Sequence, residues 1–174
     1  MPVALSPIIA ATAQWLTRAY PAPGGAFSAA LAETQARQAV TVAAWLRYPT
    51  AIDVELLSLA GPGGAARLDW LTGADTTQRQ DDDVAWRTWV DEVVASWAAC
   101  LLADPALAAR AVAATDSCEH AAGLRREFRR LVEPDESDRS AAVLLRHPDL
   151  LQPIAELHRA DLLALLQADL ADAA

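Results

Sequence analysis

The chain contains no lysine, and all fourteen of its basic residues are arginine. Arginine and alanine codons are GC-rich, so this usage fits a bacterial high-GC composition better than a selected role for guanidinium groups. Cysteine is scarce. Cys100 and Cys118 are too few for a disulfide framework in 174 residues, and a reducing cytoplasm is the expected compartment. β-Branched residues are sparse, whereas nearly a quarter of the chain is alanine, the best helix former. The fold class expected is therefore all-α. The uncharged run over residues 93–103 is too short for the roughly 20 residues a membrane span needs, so no membrane partner is expected. The N-terminal stretch lacks a basic leading region, and Ser6-Pro7 fits a helix cap followed by the first helical residue better than a secretory signal.

Catalytic signatures are also missing. No G-x-S-x-G elbow, phosphate-cradling glycine loop or H-E-x-x-H motif occurs. Gly61-Pro62-Gly63-Gly64 follows a helix rather than a strand and lacks the lysine of a P-loop, which makes it a linker. These absences argue against an enzyme and leave no cofactor to expect.

The composition is 53% apolar with six tryptophans, which excludes an intrinsically disordered chain. A length of 174 residues suits a single domain spanning 1–174 with a sizeable core. Residues 84–103 carry the strongest pattern. Trp86, Trp89, Val90, Val93, Trp97, Cys100 and Leu101 recur at steps of three and four, within an arc of about 120°. The spacing predicts one long helix, capped by Asp81, Asp82 and Asp83, around which about 8–9 helices form a compact bundle. Its three tryptophans are expected in the core.

Breakers set the other elements. Helices are expected over 7–20, 27–48, 50–59 and 65–71, with a polar loop over 72–80 that is a candidate mobile segment. Further helices are expected over 105–114, 117–132, 138–146 and 153–172. The second has weak amphipathicity (Phe27, Leu31, Thr34, Val42 and Trp45 share a face with Gln38), but its small residues permit close helix approach. Ile52, Leu56 and Leu59 share a side of the third. In the last, Ile154, Leu157, Leu162, Leu165, Leu166 and Leu170 are expected inward. Helix–proline–helix corners recur at Pro49, Pro105 and Pro148.

Charge divides the chain in two. Residues 1–80 hold five acidic side chains and five arginines; residues 81–174 hold eighteen acidic side chains against nine arginines, which accounts for the net −9. An acidic chain is repelled by nucleic-acid phosphates, so a nucleic-acid partner is not expected. The near-neutral first half is the expected contact surface for another protein, or for a second copy in a homodimer through residues 1–80.

Few residues offer chemistry. Successive residues on a helix turn by about 100°, so Cys118 and His120 of Cys118-Glu119-His120 could not chelate one ion without a distorted backbone, and no second ligand pair completes a zinc site. No metal is expected. His158 and Asp161, three apart on a helix, are the candidate ligand site, although no Glu-x-x-His repeat accompanies them. Arg125, Arg126, Arg129 and Arg130 form a cationic strip able to grip an acidic partner or RNA phosphates, set against pairing with nearby carboxylates such as Glu133, Asp135 and Glu136. Trp45 and Trp70, beside turns, are candidate interface anchors. The function expected is a non-catalytic helical interaction module: an adaptor, accessory subunit, chaperone or toxin-neutralising partner. The alternative is a small-molecule- or metal-binding bundle, possibly an enzyme, with its site near His158 and Asp161.

Overall fold

The structure is a computed structural model that describes residues 5–74, 85–121 and 128–172. Within them lie ten α-helical segments and no strand: α1 (Ser6–Ala19), α2 (Ala26–Arg47), α3 (Ala51–Ala60), α4 (Ala66–Thr72), α5 (Glu92–Ala103), α6 (Pro105–Ala114), α7 (Arg129–Val132), α8 (Glu136–Ala141), α9 (Pro148–Ala155) and α10 (Arg159–Asp172). The all-α class holds. Among the described residues no helix is long and apolar enough to cross a membrane.

The centre is a pair of helices. α2 and α5 lie against each other, α1 covers α2, and α9 covers α5. Their approach is close because alanines line the contact: Ala36, Ala39, Ala43 and Ala44 on α2, and Ala95, Ala98 and Ala99 on α5, are fully buried. The C-terminal half of α2 is buried all round, from Ala39 to Leu46. Such a helix has no amphipathic face to read, which explains its weak pattern. Its exposed end carries Phe27, which faces solvent rather than the expected face.

The long helix over 84–103 is divided. Ala85–Trp89 form a 3-10 turn, and α5 starts only at Glu92. Asp91 makes the break. Its backbone is extended, and its carboxylate accepts the Val94 N–H at 3.0 Å as a helix N-cap. Its own N–H donates to Thr12 Oγ1 at 3.2 Å, and the Tyr48 phenol donates to its second oxygen. The core therefore keeps Trp97, whereas Trp86 is half-buried and Trp89 is exposed. The cap assigned to Asp81, Asp82 and Asp83 and most of the 72–80 loop lie outside the described residues.

Downstream, Asp104 caps α6 as expected, accepting from the N–H groups of Ala106 and Leu107 at 3.0 and 3.1 Å. The helix expected over 117–132 does not start as one: short 3-10 turns cover Thr115–Ser117 and Glu119–Ala121, and among the described residues of the span only Arg129–Val132 are α-helical. The 138–146 helix becomes α8 followed by a turn over 142–146. The last helix is two, bent at residues 156–158. α5 satisfies the backbone groups freed at that bend. Ser96 Oγ donates to the Ala155 carbonyl and accepts the His158 N–H, both at 3.0 Å, and Trp97 Nε1–H donates to the His158 carbonyl at 3.0 Å. Ile154, Leu162 and Leu166 are buried, but Leu170 lies outside the core.

Candidate contact surface and the polar clusters around it

α3 is fixed at its start. Thr50 and Asp53 form a reciprocal capping box, with the Asp53 carboxylate turned back onto the Thr50 N–H and hydroxyl at 3.0 and 2.7 Å. A second acceptor reaches the same end from far along the chain. Glu119 accepts the Ala51 N–H at 2.9 Å and donates its own N–H to the Pro49 carbonyl at 3.0 Å. His120 Nε2 lies 2.7 Å from the Tyr48 carbonyl, a contact that requires the proton on that nitrogen. Glu119 and His120 thus clamp the α2–α3 corner, and Cys118 is buried. Among the described residues no group of three or more His, Cys, Asp or Glu is arranged to hold a metal ion.

Held in this way, α3 turns only Val54 and Leu57 into the core. Ile52, Leu56 and Leu59 do share a side, but that side faces solvent, with 69, 59 and 86% of their surface exposed. Val54 and Leu57 give the helix a second, equally apolar side, so its sequence cannot say which stripe the core takes.

α4 carries another exposed apolar residue. Leu68 is fully buried whereas Trp70 is 79% exposed. Gly73, at φ 66°, ends the helix in the left-handed conformation, and the Ala74 N–H closes the turn on the Asp69 carbonyl at 2.9 Å. Asp69 ties α4 down. Its buried carboxylate accepts Trp15 Nε1–H at 2.9 Å and pairs with the buried Arg87. Arg87 and Arg18 both stack on the Trp86 ring, at 5.0 and 5.1 Å from its centroid. Between α3 and α4, the Gly64 N–H donates to the Val90 carbonyl at 3.0 Å. The linker leading into α4 therefore lies against the turn carrying the exposed Trp89.

The other candidates are placed differently. Trp45 is buried, stacked on His120 at 6.5 Å and edge-on to Phe128 at 5.9 Å, so it belongs to the core and is not an interface anchor. Arg125 and Arg126 lie outside the described residues. Arg129 and Arg130 turn onto carboxylates: Arg130 pairs with the buried Asp138, and Arg129 reaches Asp135 at 3.5 Å and Asp138 at 3.6 Å. Asp138 is also the third residue of the α8 capping box, so these arginines brace α7 against α8. Arg146 deepens the network by donating to Gln35 and to the Leu102 and Arg130 carbonyls. Burial lowers its guanidinium to about 10.

His158 and Asp161 do meet, with Nδ1 and the carboxylate 3.5 Å apart. The stronger partner is Glu92, whose Oε1 lies 2.8 Å from Nε2 and 3.3 Å from Arg67. Glu92 therefore takes the Nε2 edge of the ring, Asp161 lies near the other, and the Glu92 contact holds the start of α10 on α5. Sequence reasoning missed Glu92 because it lies 66 positions from His158. Open grooves lie elsewhere: one of about 480 Å³ along α2, lined by Glu33, Thr34, Arg37, Gln38 and Phe128, and one of about 350 Å³ beside Tyr20, Leu71 and Leu150.

Fold and surface together define an all-α bundle with an apolar outer helix. The sequence matches no protein-family model, and neither curated proteins nor solved structures give a significant match to it.

Proposed function

We propose that this protein is a non-catalytic interaction module, an adaptor or accessory partner, that binds another protein chain through the outer faces of α3 and α4. One observation carries the reading: Ile52, Leu56 and Leu59 form a stripe at helical spacing that faces solvent, and Trp70 on the next helix does the same. Scattered apolar residues are normal on a surface. An aliphatic stripe and an exposed tryptophan on the next helix have the composition of interface centres, where aromatic and aliphatic anchors fill a partner's pockets. The stripe lies in the near-neutral half of the chain, where desolvation on binding costs least. The polar clusters brace helices against one another, which supports a scaffold rather than a reaction centre.

The test is photo-cross-linking in the native host, with benzoylphenylalanine at position 59 and, as control, at Glu136. Cross-links to protein are expected from position 59 and not from 136. No protein cross-link at 59 would defeat the reading.

A further inference from the structure

We draw no further inference here: the strongest candidate, the outward apolar face of α3 formed by Ile52, Leu56 and Leu59, belongs to the surface already described, and nothing in the structure shows what covers it.

Discussion

Replacing Asp91 by alanine decides between two accounts of residues 84–103. In one continuous helix, as the tryptophan spacing predicts, Asp91 is a solvent-facing mid-helix residue. Alanine would then raise helix propensity and stabilise the protein by up to about 0.7 kcal/mol. In the structure Asp91 is a buried N-cap whose carboxylate accepts both the Val94 N–H and the Tyr48 phenol. Losing the cap costs about 1 kcal/mol. Losing a charged acceptor and leaving the phenol unpaired costs about 1.5–3 kcal/mol more. The expected loss is therefore about 2–4 kcal/mol, or a fall in Tm of roughly 5–15 °C for a chain of this size. Urea denaturation followed by tryptophan fluorescence measures it. Tyr48→Phe should cost about 1–2 kcal/mol alone and little more on top of Asp91→Ala, because both changes remove the same bond. Asp91→Ser, which keeps the cap, should recover about 1 kcal/mol. A neutral or stabilising Asp91→Ala would refute the divided segment.

Three further outcomes follow from the packing. Leu57→Ala should destabilise by about 2–4 kcal/mol while Leu56→Ala stays within about 0.5 kcal/mol, which thermal denaturation checks; the reverse order would mean that α3 faces the other way. Glu92→Gln should lower stability by roughly 1 kcal/mol and speed amide hydrogen exchange at the start of α10 more than in α2, because it weakens the contact to His158. Burial pushes the Cys100 thiol up to about 11 from an ordinary value of 9.0, so above pH 9 the unfolded chain releases a proton that the folded chain keeps. Stability should be unaffected by this group below pH 9 and fall between pH 9 and 11, with a shallower fall in Cys100→Ala. The Tyr20 and Tyr48 phenols, both raised by burial, add to the slope above pH 10.

The sequence identified the helices better than it identified their faces. Composition and breakers located α1 to α4 and α6 within a residue or two, because prolines, glycines and caps act locally. The division at Asp91 was hidden because an aspartate within a good 3.6-residue period is indistinguishable from a polar-face residue until Thr12 and Tyr48 are beside it. The bend before α10 was hidden for the same reason, since Ser96 and Trp97 satisfy it from another helix. Trp45 lay beside a turn, the usual place for an exposed residue, but His120 and Phe128 from distant segments enclose it. Of the candidate site, the neutral half and Trp70 were legible. The outward turn of Ile52, Leu56 and Leu59 was not, because Val54 and Leu57 offer the core an equally apolar side of α3.

The Glu119 contact links the candidate surface to residues far along the chain. The Ala51 N–H finds its acceptor 68 positions away, and the Pro49 carbonyl is bonded by the same residue. The first turn of α3 is thus anchored twice, by its own capping box and by a residue from beyond α6, so the placement of the face proposed for partners depends on the 115–121 segment as well as on its own helix.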